Sequence, residues 1–412
     1  MCDAETPTTP MPEVPTASQA TSRMSARRGR LGVAAILLAL ALGGCASAPE
    51  MPTFVPTGDP VADANTRIAL APPQDRPLWQ ARLGLEAMRR GDWAEARAKL
   101  DDAILAQGGM MGPSADAARA RSLFHREDSK LFVGEPYERA LVYYYRAIIY
   151  WMDGEPDNAR ACYRTAELMD SDASASTYKG DWVLPDYLDA LASAHMKDDG
   201  SDALQRAQHN YTGTLPPFEP EANVLVFAEF GRGPRKYAGG EYEEELYFQP
   251  GSSLARNAVL RVAGQSVFIG AYDDVSFQAT TRGGRVMDHI LANKAVFKET
   301  TDLVGDAALI GAGISAYQPD SHRNDGLTVG LAAVGLLSKI ASAATTPAAD
   351  IRCWDSVPQG LGFAGLKLAP GQYPATVEFH AADGSIVSTR EFTLPVNPAP
   401  ANTVLLLSEL TP

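Results

Sequence analysis

Residues 140–168 read ALVYYYRAIIYWMDGEPDNARACYRTAEL, and their spacing decides half of the fold. Ala147 and Tyr150 lead into Gly154-Glu155, and Ala159, Tyr163 and Ala166 follow at helical spacing. Apolar positions with a period near 3.6 on both sides of a glycine turn predict two antiparallel helices. The same order stands upstream in LWQARLGLEAMRRGDWAEARAKLDDAILAQGG (78–109). Leu83, Gly84 and Ala87 share one face, Gly91-Asp92 makes the turn, and Trp93, Ala96, Leu100 and Ala103 share the next. Small residues at 84, 96 and 103 predict closely packed helices. Asp75-Arg76-Pro77 is the expected start, an N-cap residue followed by a helix-starting proline.

A third, weaker pair is expected between Tyr178 and His209, with LPDYLDALASAHM as its first arm. This alternation of small and large residues resembles a tetratricopeptide repeat, and about three such units suffice for a self-supporting stack. The turn glycines at 91 and 154 are too far apart for one repeat period, so an irregular stretch (107–136) is expected between them. Near Pro216-Pro217 the pattern changes to strands: NVLVFAEF (223–230), EEELYFQP, VLRVAGQSVFIGAY, GQYPATVEFHAADGSIVSTREFTLP and NTVLLLSEL. NVLVFAEF is apolar almost throughout and predicts a strand buried on both faces. Asp383-Gly384 between alternating runs marks a hairpin. Residues 284–345 read as an Ala/Gly-rich helical insertion. The expected fold class is α+β and multidomain. It comprises helical hairpins over 76–215, then a sandwich-like β-rich domain over 219–412.

The N-terminus carries a different message. MSARRGRLGVAAILLALALGGCASAP (24–49) has a basic start, a short apolar run and Leu42-Gly43-Gly44-Cys45. That is a secretory signal of the lipoprotein kind, in which the cysteine after the small residues takes the lipid. Residues 1–44 are expected to be removed, with translation starting at Met24 and lipid on Cys45. Residues 45–75, rich in Pro, Ala and Thr, are expected to be a flexible tether. Ala46 after the lipidated cysteine favours the outer membrane, so the expected place is the periplasmic side of the cell envelope.

The chain has 412 residues, 36 Lys+Arg and 50 Asp+Glu, a net charge of −14. Such a surface argues against nucleic acid and against electrostatic docking on anionic lipid. Beyond Cys2 and Cys45 only Cys162 and Cys353 remain, in different modules. A disulfide is open to them in an oxidising compartment; two buried thiols are the alternative. The six histidines are scattered, with no metal-ligand spacing and no nucleophile elbow. Gly311-Ala312-Gly313 resembles a dinucleotide loop only superficially, lacking the third glycine. No catalytic, metal or cofactor residue is therefore expected, and the chain is read as not an enzyme. Gly231 to Lys236 is a basic glycine turn, so Arg235 and Lys236 are candidates for contact with an anion. Tyr143, Tyr145 and Tyr150 are candidates for a concave, partner-binding face, because consecutive helical tyrosines cannot all point into one core.

The lipidation signal, GEPYERALVYYYRAIIYWMDGEPDNARACYRTAEL, GRGPRKYAGGEY and DIRCWDSVPQGLGFAGLKLAPGQYPATVEF together resemble an uncharacterised family of bacterial lipoproteins. Those proteins join degenerate tetratricopeptide repeats to a β-rich C-terminal part, and the resemblance spans about residues 76–412. It implies no catalytic residues. The expected function is a non-catalytic scaffold or assembly factor that holds an envelope protein or peptide in its helical groove. The alternative is ligand binding or hydrolysis in the β-rich part.

Overall fold

The computed structural model describes residues 55–57, 60–106, 131–171, 181–240, 243, 245–281 and 349–410. The leader expected at 1–44, Cys45, the insertion expected at 284–345 and the glycines at 311 and 313 lie outside the described residues.

Helix α1 (Pro60–Leu70) and a 3-10 turn (Pro73–Asp75) lie where a tether to residue 75 was expected, so the tether boundary is corrected. Ile68 of α1 is half-buried, Asn65 donates to Glu95, and Arg67 sits 5.2 Å over the ring of Trp79. Three helical hairpins follow: α2 (Arg76–Arg89) with α3 (Trp93–Ala106), α4 (Pro136–Asp153) with α5 (Pro156–Asp170), and α6 (Val183–His195) with α7 (Ser201–Asn210). Gly91 and Gly154 turn the first two at φ +76° and +77°, with open space where a side chain would stand. Gly84 lies against Leu100: a Cβ there would come within 2.8 Å of the leucine Cγ, so α2 and α3 cross closely as the sequence predicts.

The helices differ in kind. α3 and α7 bury one stripe each, Ala96, Leu100 and Ala103 in α3 and Ala203 and Ala207 in α7. α5 likewise turns Ala159, Cys162, Tyr163 and Ala166 inward. By contrast α4 and α6 are buried nearly all round. They have outer helices on one side and a sheet on the other.

That sheet has the order β10 (Thr403–Ser408), β1 (Val224–Phe230), β7 (Gly360–Leu366), β6 (Asp273–Asp274), with β10 parallel to β1 and the rest antiparallel. Every residue of β1 is buried. Its odd positions Leu225 and Phe227 join the helical core, and its even positions Val224, Val226, Ala228 and Phe230 face a second sheet. The period of two in a strand divides one segment between two cores. The second sheet runs β5 (Gln265–Gly270), β4 (Ala255–Val262), β8 (Gly371–Ala381), β9 (Ile386–Val396). β8 and β9 form the hairpin expected at Asp383-Gly384, with Gly384 at φ +82°. VLRVAGQSVFIGAY holds a hairpin rather than one strand: Ala263 and Gly264 both take positive φ, 48° and 75°, and chain β4 to β5. A separate two-stranded ribbon, β2 (Arg235–Gly239) with β3 (Glu245–Gln249), stands apart. A short helix, α8 (Val275–Thr281), closes the first β segment.

The described residues from 60 to 410 are therefore layered as helices, sheet, sheet. Rings cross the first interface: Tyr144 meets Phe227 at 6.2 Å, Tyr187 meets Phe363 at 5.7 Å and Tyr145 meets Trp354 at 6.1 Å. Such pairs each add about 0.5–1.5 kcal/mol beyond the area they bury. The boundary expected at 215–219 marks a change of element type, while one core spans it. Among the described residues no helix is long and apolar enough to cross a membrane.

Candidate functional site

The densest polar arrangement lies where the start of α4 meets β2 and the segment 349–358. It begins with Gly134-Glu135-Pro136-Tyr137-Glu138. Pro136 occupies a first-turn position, and the two glutamates form a capping box that satisfies orphan N–H groups. Glu138 does more than cap. Its Oε2 accepts from the backbone N–H of Glu135 at 2.7 Å and from Lys236 Nζ at 2.5 Å, and its Oε1 accepts from the N–H of Trp354 at 2.7 Å. One buried carboxylate thus ties helix, ribbon and segment together.

Lys236 also donates to the carbonyl of Arg352 at 2.9 Å, and its side chain is 1% exposed. Burial works against its charge, but Glu138 and Glu135 outweigh that and leave its pKa raised. Arg352 holds Asp350 through Nε and Nη2, at 2.8 and 2.7 Å, and Asp75 through Nη1 at 2.7 Å. Asp75, the expected N-cap, therefore makes no side-chain cap to α2. Burial alone would raise the Asp350 pKa, yet the Arg352 guanidinium holds it below the usual range. Arg82 of α2 completes the seam, donating to the Cys353 carbonyl at 2.5 Å and pairing with Asp355 at 2.9 Å.

A second clasp sits deeper. Glu229 of β1 accepts from Arg89 Nε at 2.7 Å and from the Tyr145 hydroxyl at 2.6 Å, and Arg89 also reaches the Ser356 carbonyl at 2.8 Å. Burial, with Glu229 beside it, pushes the Tyr145 phenol well above its ordinary value.

These contacts decide the sequence candidates. Tyr145 is fully buried and Tyr143 is 4% exposed, so neither lines an open groove. Tyr145 is covered by Glu229 of β1 and by Trp354, and Tyr143 is enclosed beside Cys162 of α5, which is the physical reason for the correction. Tyr150 is half-buried under the Arg146 guanidinium, 3.6 Å from its ring centre. Lys236 is likewise corrected: strand parity turns it inward onto Glu138, so its charge is met within the protein. Arg235 is exposed beside a cleft of about 360 Å³ that Lys236, Arg82, Trp79, Ile351 and Cys353 also line. It makes no ion pair among the described residues. Cys353 and Cys162 are both free thiols. Burial pushes their pKa values to about 11 and about 12, so neither is a thiolate at neutral pH. Among the described residues no cluster of His, Cys, Asp or Glu has the makings of a metal site.

Glu138 and Glu229 were missed in the sequence. The Glu-Pro-x-Glu spacing at 135–138 announces a capping box, but nothing local reveals that Lys236 and Trp354 share its carboxylate. Compared with protein-family models, curated proteins and solved structures, the chain has no match.

Proposed function

We propose that the protein is a non-catalytic scaffold or assembly factor of the cell envelope, held at the outer membrane by lipid on Cys45 and contacting a protein partner through its outer helices. The sequence Leu42-Gly43-Gly44-Cys45 after a short apolar run supports the anchor. The observation that carries the choice of surface is the occupied inner face. With α4 and α6 closed against the sheet, α3 and α5 keep broad free faces, where Leu105 is 74% and Leu168 63% exposed. Tetratricopeptide-like stacks recognise peptides on the inner side, and here that side already holds the chain's own Phe227 and Phe363.

The test has two arms. Radiolabelled palmitate should enter the wild-type chain in growing cells and fail to enter Cys45→Ala, which should lose its membrane fraction. An envelope protein crosslinked to the wild type should be lost with Leu105→Asp and Leu168→Asp. Label in Cys45→Ala would overturn the anchor, and capture unaffected by both leucine changes would overturn the surface.

A second reading, ligand binding in the β-rich part, is favoured by one cleft of about 510 Å³ between β5, β7 and the turn at 214–219. Leu215, Pro217, Phe268, Tyr272 and Leu366 make much of its wall apolar, and its size suits a small molecule.

A further inference from the structure

The third helical pair is fastened to the sheet by a carboxyl that does not belong to it. α6 begins after Trp182 with no side-chain cap of its own. Its first N–H groups are met instead by Asp273 of β6, where Val183 N donates to Oδ1 and Leu184 N to Oδ2, each at 2.8 Å. Asp273 is 4% exposed. β6 is only two residues long and pairs with the end of β7, so this carboxyl links α6 directly to the sheet edge.

Its surroundings are acidic. Asp181 precedes α6 and Asp186 lies on it, while Glu167 and Asp170 come from the end of α5. Asp186 is fully buried; its Oδ1 receives Arg206 of α7 at 2.8 and 2.5 Å, and its Oδ2 is buried without a partner. Glu167 Oε1 is likewise buried and unpartnered. Asp189 lies beside Asp186 and takes Arg164 at 2.9 Å. Tyr144 of α4 and Tyr211 after α7 face Asp273 with neutral phenols. Among the described residues Arg206 and Arg164 bring cations to Asp186 and Asp189, and both side chains are about half-exposed.

We propose that these carboxyls form a proton-operated joint, which holds the third helical pair on the sheet when protonated and loosens it when ionised. The joint is independent of lipid anchoring and of any partner.

The direction follows from the environment. Burial pushes Asp273 up to about 7, against the pull of its two N–H donors, and Asp181 and Asp186 push the same way. Burial also raises Glu167 well above the carboxylate range, with Asp186 adding to it, and raises Asp186 despite Arg206. A docked α6 therefore keeps protons that an undocked, solvated one gives up between about pH 4 and 7. Docking is strongest at the acid end of that window and weakens as pH rises through it. For Asp273 alone the opened fraction grows about fifty-fold from pH 5 to pH 7.

Hydrogen exchange on the full chain, corrected for the chemical exchange rate, reads that fraction at the amides of α6, with α4 as internal reference. The wild type should lose protection by about fifty-fold or more between pH 5 and 7, Asp273 alone supplying the fifty-fold. Asp273→Asn should take about fifty-fold off that change, and Asp181→Asn should keep the slope but move its midpoint to lower pH, because one neighbouring negative charge is gone. A wild-type change below about threefold, or an undiminished slope in Asp273→Asn, would overturn the joint. Should Asp273→Asn fail to fold, an unmoved midpoint in Asp181→Asn overturns it instead.

Discussion

Replacing Glu138 by Gln keeps the shape of the side chain and deletes the charge that Lys236 faces. The ammonium is 1% exposed, so water cannot take over. It retains the Arg352 carbonyl at 2.9 Å and a more distant Glu135 carboxylate at 3.6 Å. Breaking a buried ion pair from one side costs about 3–5 kcal/mol, and these residual partners place the expected loss near the lower bound. Lys236→Met removes the opposite charge and leaves Glu138 and Glu135 facing each other, so it should be costly as well. The double variant Glu138→Gln/Lys236→Met leaves no unpaired ammonium. It should be more stable than the sum of the two losses by about 2 kcal/mol or more, within the range of coupled neighbours. Urea unfolding of the four proteins, followed by the fluorescence of buried Trp354, measures each quantity. A loss under about 1 kcal/mol in Glu138→Gln, or additive losses, would refute the claim that this pair fastens the ribbon and the 349–358 segment to α4.

Other expectations come from the same structure. Tyr145→Phe withdraws one of the donors on Glu229 and should cost about 2 kcal/mol in urea unfolding, since a bond to a buried charge is lost while Arg89 remains. Gly154→Ala forces a side chain into φ +77° with no neighbour to clash with, so only the backbone conformation is charged, about 1 kcal/mol by calorimetry. Asp350 has a depressed pKa, so the stability it lends is present above the ordinary carboxylate value and is lost as pH falls below about 4 through the folded value. Acid titration of Trp354 fluorescence should show the 349–358 segment loosening there, and Asp350→Asn should remove that step.

Much of this architecture was legible in the residues. Glycines at 91 and 154 between helical stripes announced two hairpins, Asp383-Gly384 announced another, and the unbroken apolar run at 224–228 announced a strand covered on both faces. Local pattern failed where tertiary contact decides. The tyrosines at 143 and 145 read as partly outward because a lone hairpin has one buried stripe; β1 covers Tyr145 and Tyr143 is enclosed beside Cys162, and no local signal says so. Lys236 read as a loop cation because Gly231 and Gly233 drew the eye to the turn, whereas strand parity from Arg235 onward sets its direction. Ala263-Gly264 escaped notice as a hairpin because alanine seldom takes positive φ. Helix α1 escaped because its flanking prolines resemble a linker, although Ala62, Ala64 and Ile68 suit a helix. The candidate site was the least legible part: Glu138, Lys236, Trp354 and Arg352 come from distant stretches that only the fold unites.

The central claim is that a lipid-held body meets its partner through its outer helices, the inner face being filled by its own sheet. Photocrosslinking in intact cells tests it most directly, with a photoreactive residue placed at Leu105, at Leu168 and, on the far β8–β9 hairpin, at Ile386. The account predicts one envelope protein joined at 105 and 168, not at 386, and no such adduct when Cys45 is replaced by Ala. Adducts confined to 386, or adducts that persist without Cys45, would contradict it.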